Sequence, residues 1–209
     1  MHGTTHEKVL RLVKSLAAHP RYALRYLLYG PLCRMSPLEL GLPWFSDAAI
    51  DFLDGYMEAN MEAFEWGSGG STIFLASRIR SVVTVESDES WMLRVQGTLQ
   101  ERALSNVTHL YRPYDFVNVF NFSASEYLGA LEGEGKDIIV VDGPEYDIQV
   151  RPDCFFRAER FVKSGGIIVI DDSWRYPEIR QRSRARQVLV FESTGPCRPG
   201  VTSTDIHIY

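Results

Sequence analysis

Residues 64–72 read Phe64-Glu65-Trp66-Gly67-Ser68-Gly69-Gly70-Ser71-Thr72. Apolar Ala63 and Phe64 predict the end of a buried strand. The glycines permit a tight turn with close backbone approach, and Ser71-Thr72 opens a helix continued by Leu75 and Ala76. The next β-branched run, Val82-Val83-Thr84-Val85, ends on Glu86. A carboxylate at that strand end can accept both hydroxyls of a ribose. Turn and acid together therefore predict a nucleotide-like ligand held by Gly67, Ser68, Gly69, Gly70, Ser71, Thr72, Glu86 and Ser87.

The details of the turn select among nucleotides. A dinucleotide-binding turn carries a third glycine or alanine three residues after the second, and here that position is Thr72. Glu65 places a negative charge ahead of the turn, directed in this reading toward the ligand. Such a charge repels a pyrophosphate and attracts a ligand bearing an ammonium and a sulfonium. S-adenosylmethionine (SAM) has both cations and no phosphate. A nicotinamide-dependent oxidoreductase and a SAM-binding scaffold without catalysis are the alternatives.

The order Glu65-Trp66-Gly67-Ser68-Gly69 resembles the first motif of the class I SAM-dependent methyltransferases, and Glu86 matches their ribose-binding acid. The resemblance covers most of residues 44–209. It implies that Glu65 and the glycines receive the methionine end of SAM. The loop from Tyr111 through Tyr114 to Asp115 would take the adenine, and Asp142 would face the methyl group or a metal.

Composition fits one soluble domain. The chain has 209 residues, 45% hydrophobic and 23% charged, with a net charge of −5. Lys8, Arg11, Lys14, Arg21, Arg25 and Arg34 face Glu7 alone in residues 1–36, so the remainder is strongly acidic. An acidic body argues against a nucleic-acid surface. Cys33, Cys154 and Cys197 form no C-x-x-C pair, which favours a reducing cytoplasm. No apolar run approaches the ~18 residues of a transmembrane helix, and no secretory leader is evident.

The expected fold is α/β: a doubly wound, seven-stranded, mostly parallel sheet with a C-terminal antiparallel hairpin and an N-terminal helical extension. Residues 1–36 form that extension, as two amphipathic helices parted at His19-Pro20, and residues 37–209 form the methyltransferase domain. The extension packs on the core, on a second subunit or on an anionic membrane surface. Pro31 to Pro43 reads as a connector, and Ser46 caps the helix that follows. Further strands are expected at Val107–Tyr111, Asp137–Val141 and Ile167–Ile170, with a helix from about Asp153 to Val162 stopped by Ser164-Gly165-Gly166. Val188–Phe191 and Asp205–Tyr209, joined by a short Pro/Gly loop, make the terminal hairpin.

Glu65, Glu86, Asp142, Asp171 and Asp172 all fall at expected strand C-termini, the ligand edge of such sheets. Asp142, Asp171 and Asp172 offer oxygen ligands for Mg²⁺ or another divalent cation, or one of them, Asp142 or Asp171, is a catalytic base. Val141-Asp142-Gly143 and Ile170-Asp171-Asp172 resemble the metal-binding segments of macrocin-type and catechol-type O-methyltransferases. Macrocin-type enzymes carry a further acid two residues after the first. Pro144 stands there, with Glu145 and Asp147 nearby as substitutes.

For the acceptor, Arg175, Arg180, Arg182, Arg184 and Arg186 are either a solvated helix face or a cationic rim for an anionic small molecule. Trp174 and Tyr176 beside them stack on a substrate ring or fill the core, and Trp44, ahead of the helix that leads into the glycine turn, lines the pocket or packs in the core. His2, His6, His19, His109 and His207 show no ligand spacing. Asp142-Gly143-Pro144-Glu145-Tyr146 departs from the Asp-Pro-Pro-Tyr run of nucleic-acid amino-methyltransferases. The expected reaction is therefore in-line methyl transfer to a small molecule, most simply at oxygen.

Overall fold

The computed structural model describes residues 4–144 and 149–209. Helices Thr5–Ala18 (α1) and Pro20–Tyr29 (α2) meet at His19-Pro20, because proline is tolerated only in a first helical turn. A short helix, Pro37–Leu40 (α3), and a longer one, Asp47–Tyr56 (α4), follow. The alternating body is then Glu62–Trp66 (β1), Gly70–Ala76 (α5), Ser81–Glu86 (β2), Glu89–Glu101 (α6) and Val107–Tyr111 (β3). It continues with Glu126–Gly129 (α7), Lys136–Val141 (β4), Val150–Ala158 (α8) and Val162–Asp171 (β5). Pro177–Arg182 (α9), Gln187–Ser193 (β6) and Thr202–Ile208 (β7) complete the chain.

The seven strands form one sheet in the order β3-β2-β1-β4-β5-β7-β6. Strands β1 to β5 pair in parallel, and β7 runs antiparallel between β5 and β6. The near-continuous apolar strands are explained by their two-sided burial. In β4, Ile138 and Val140 enter the cluster under α4, α5 and α6, whereas Ile139 and Val141 enter the cluster under α7, α8 and α9. Each such side chain contributes about 2 kcal/mol through removal from water. The order reverses between β1 and β4, which opens a crevice at their carboxyl ends.

Three boundaries differ from the sequence reading. The connector contains α3, closed by a reciprocal capping box between Ser36 and Glu39. Helix α8 ends at Ala158 and β5 begins at Val162, so Gly165-Gly166 lies inside the strand. Gly165 takes φ +83° where the β4–β5 register shifts, and that bulge accounts for the glycine. Glu65 lies within β1, not beyond it.

The N-terminal helices differ in how they attach. Helix α1 buries none of its residues. Helix α2 is anchored by fully buried Tyr22, whose hydroxyl donates to Asp51, and by Arg25 paired with Asp51 at 2.6 Å. The basic segment thus docks on the acidic body by charge as well as by apolar contact. Among the described residues no helix is long and apolar enough to cross a membrane.

Candidate active site

The turn from Gly67 to Ser71 is held from three sides. Gly67 takes φ +90°, and a Cβ there would lie 2.5 Å from the Asp142 carbonyl oxygen. Only glycine lets the turn pass beneath the end of β4. A Cβ on Gly70 would meet the Leu42 carbonyl oxygen at 2.1 Å, so the connector also presses on the turn. From α6, the Trp91 indole donates to the Ser68 carbonyl at 2.7 Å. At Gly69, by contrast, an added Cβ would come no closer than 3.8 Å to Trp91, which leaves open space above the turn.

Glu86 ends β2 facing that space. Its carboxylate accepts from the Ser68 backbone and hydroxyl at 3.2 and 3.0 Å, and from the Ser87 and Asp88 backbone at 2.7 and 3.0 Å. These bonds fix both oxygens before any ligand arrives.

The expected role of Glu65 requires correction. Its side chain is fully buried beneath the turn and does not line the cavity. The Thr72 hydroxyl donates to Glu65 at 2.6 Å and accepts from the Gly69 backbone at 2.9 Å. Burial lifts the Glu65 pKa to about 7, opposed by the Ser71, Thr72 and Thr84 hydroxyls. Glu65 and Thr72 therefore brace the turn from below, and the residue that departs from the dinucleotide pattern has a structural partner.

A cavity of about 780 Å³ opens on the crevice. Gly67, Ser68, Gly69, Gly70, Ser71, Glu86 and Asp142 line it, with Trp91 on one wall and Trp44, Arg175 and Pro37 on another. Beyond Glu86 and Pro144 it adjoins a second hollow lined by Ser87, Tyr111, Tyr114, Asp115 and Phe116. Asp115 spends its carboxylate on the Val117 and Asn118 backbone, shaping that loop. Glu145 and Asp147, considered above as substitute acids, lie outside the described residues.

The acids of β4 and β5 converge, but on arginines. Asp142 pairs with buried Arg151 at 3.0 Å; Arg151 also donates to the Gly143 and Asp171 carbonyls. Asp171 accepts from Arg198 at 2.7 Å and from Thr204 at 2.8 Å. Asp172, held in the left-handed region at φ 49°, accepts from Arg198 at 3.0 Å and Thr202 at 2.8 Å. Neither Asp171 nor Asp172 lines the cavity, so the reading of Asp171 as the base is not supported by its position. Burial raises both Asp142 and Asp171, while Arg198 holds Asp172 below the usual range. Among the described residues no group of three or more His, Cys, Asp or Glu side chains is placed to hold a metal ion. As they stand, the three acids do not fit a divalent cation.

The arginine-rich segment divides in the same way. Arg175 lines the cavity and lies over the Trp174 ring. Arg180 pairs with buried Asp205, Arg184 with Glu159, and Arg182 lies over Phe156. Trp174 donates to Asp172 and does not line the cavity, so its expected substrate contact is replaced by a bond that steadies the acid. Trp44 is half exposed and forms a wall of both the main cavity and a smaller one under α1. Arg151, Arg198 and Trp91 were not singled out from the sequence. No local motif marks them, although Trp91 lies in the first turn of a helix that must start beside Glu86.

A reversed-order sheet, a glycine turn and a strand-terminal acid, closed by an inserted antiparallel strand, define the class I SAM-dependent methyltransferase fold. The chain is similar to a presumed O-methyltransferase from Klebsiella pneumoniae at 17% identity and a TM-score of 0.64, covering 97% of this chain and 99% of that one. It is similar to an O-methyltransferase from Bacillus cereus in complex with S-adenosylhomocysteine (SAH), at 18% identity and 0.59, covering 95% and 90%. An rRNA methylase from Streptococcus thermophilus matches at 11% and 0.57, covering 84% and 98%. At such identities the likeness is one of fold. No protein-family model and no curated protein matches the sequence.

Proposed function

We propose that this protein is a SAM-dependent methyltransferase acting on a small, anionic acceptor at oxygen. The observation that carries this reading is a cavity bounded at once by the glycine turn, the fixed Glu86 carboxylate and Asp142. Its open space above Gly69 and its volume of about 780 Å³ suit SAM, which when bound supplies an electrophilic methyl group. The turn would hold the amino-acid end, Glu86 the ribose, and the Tyr111–Asp115 loop the adenine. Asp142 would take a proton from an acceptor hydroxyl; burial, which raises its affinity for one, and its orientation by Arg151 support that role. Trp44 and Arg175 form the acceptor wall, and Arg175 supports an anionic group there.

Calorimetry with SAM, SAH, NAD⁺ and NADH tests the cofactor. SAM and SAH should bind, and Glu86→Ala should weaken them by about 10–100-fold through loss of charged hydrogen bonds. Binding of the nicotinamides alone would sink the proposal. For the acceptor, transfer of labelled methyl groups to metabolite pools and to rRNA separates the two classes. Asp142→Asn should retain SAM and lose transfer by about 100-fold or more.

The proposed partner of the extension is a second copy of the chain. Leu24, Leu27, Leu28 and Leu32 are 61%, 74%, 55% and 89% exposed, an apolar face that self-association would cover.

A further inference from the structure

The acid pair at the end of β5 already holds a cation, and that cation is a side chain. Arg198 reaches Asp171 through Nη2 at 2.7 Å and Asp172 through Nη1 at 3.0 Å, with its side chain 18% exposed. Thr204 donates to the second oxygen of Asp171, while Thr202 and Trp174 donate to the Asp172 oxygen that Arg198 also uses. A divalent cation needs several oxygen lone pairs directed at one point at about 2.0–2.6 Å. Here three of the pair's four carboxylate oxygens face N–H and O–H donors. A guanidinium is a fixed fork of donors, so it can bridge two carboxylates directionally where an ammonium would act as a point charge.

The guanidinium is itself held in place. Its outer face lies over the Trp44 ring at 5.0 Å. The loop that carries it is tied to α2, where the Tyr26 hydroxyl donates to the Pro199 carbonyl at 3.0 Å and the Cys197 backbone donates to Tyr29 at 2.6 Å. We propose that Arg198 is the resident counterion of the acid pair, taking the place of a divalent cation, and that this protein neither binds nor needs one there. Trp44 walls the main cavity, and Arg198, bonded to Asp171 and Asp172, backs its ring from outside that cavity. Arg198 is a positioning residue, acting on the site through Trp44 and the acids. Occupancy of the acid pair is independent of the methyltransferase reading; only its consequence for turnover rests on that reading.

Thermal melting of the full chain with Mg²⁺, Mn²⁺ or Ca²⁺, and with EDTA, provides the test. The native protein should melt at one temperature in all four. A stabilisation by any of these ions that Asp171→Asn abolishes would overturn the proposal, because the ion would have displaced the guanidinium. Arg198→Met should melt about 10 °C lower, since two buried carboxylates lose their partner. It should also gain a shift of about 5 °C or more with an ion at 100 times its dissociation constant. If Arg198→Met does not fold, Arg198→Lys, which keeps the charge, should fold and remain indifferent to the ions; an ion-induced shift there would count against the proposal. SAM binding measured alongside reports on the methyltransferase reading by itself. Loss of SAM binding with unchanged indifference to metal would sink that reading and leave this one standing.

Discussion

Thr72 stands where a dinucleotide turn would carry a third glycine, and its hydroxyl is the group that steadies Glu65 and Gly69 together. The Glu65 pKa of about 7 lies above its ordinary 4.5, so the folded state holds a proton that the unfolded chain releases. The stabilising effect of this group is complete below pH 4.5 and is lost as the pH rises through 7. Glu65→Gln should remove that dependence, gaining up to about 3 kcal/mol relative to the native chain between pH 5 and pH 8 in urea unfolding. A parallel pH dependence in both proteins would refute the assignment. Gly67→Ala meets both a positive φ and a backbone oxygen 2.5 Å from the new Cβ. It should lose about 3 kcal/mol of stability and SAM affinity with it, read by melting and calorimetry. The place of the glycines and Glu86 at the cavity was legible because it depends on the turn and the strand ends beside it. The burial of Glu65 was not, since a residue one step before a turn can face either side of its strand.

Among the elements, the hairpin β6–β7 fixes the acid cluster. Asp205, fully buried on β7, accepts from Arg180 on α9 at 2.5 and 2.9 Å and from Ser173 at 2.7 Å. Thr202 and Thr204 on the same strand bond Asp172 and Asp171. Asp205→Ala leaves a partly buried guanidinium unpaired and should cost about 3–5 kcal/mol in urea unfolding, whereas a loss below about 1 kcal/mol would show the network to be dispensable. Strand and helix alternation was readable from apolar runs of the right length. Gly165-Gly166 misled because a strand bulge and a helix stop call for the same residue. The capping box Ser36-x-x-Glu39 was present in the sequence, and it marks α3 inside what reads as a connector.

Over the whole molecule, the basic extension is joined to the acidic body through Arg21 and Arg25 on Asp51, and its remaining apolar face points outward. Light scattering should find the chain as a dimer that Leu27→Glu converts to a monomer; a native monomer at micromolar concentration would end the self-association proposal. The sequence by itself determined the order of strands and helices, the glycine turn and the place of Glu86 at the end of β2, because each depends on neighbours within one strand, turn or helix. Only the tertiary structure decided what the other acids do. Arg151 and Arg198 are brought to Asp142, Asp171 and Asp172 by packing α8 on β4 and β5 and by inserting β7 beside β5. A carboxylate at a strand end carries the same code whether it will meet a metal, a substrate or a guanidinium. Its partner comes from another element of the chain, and the fold alone sets which charge arrives.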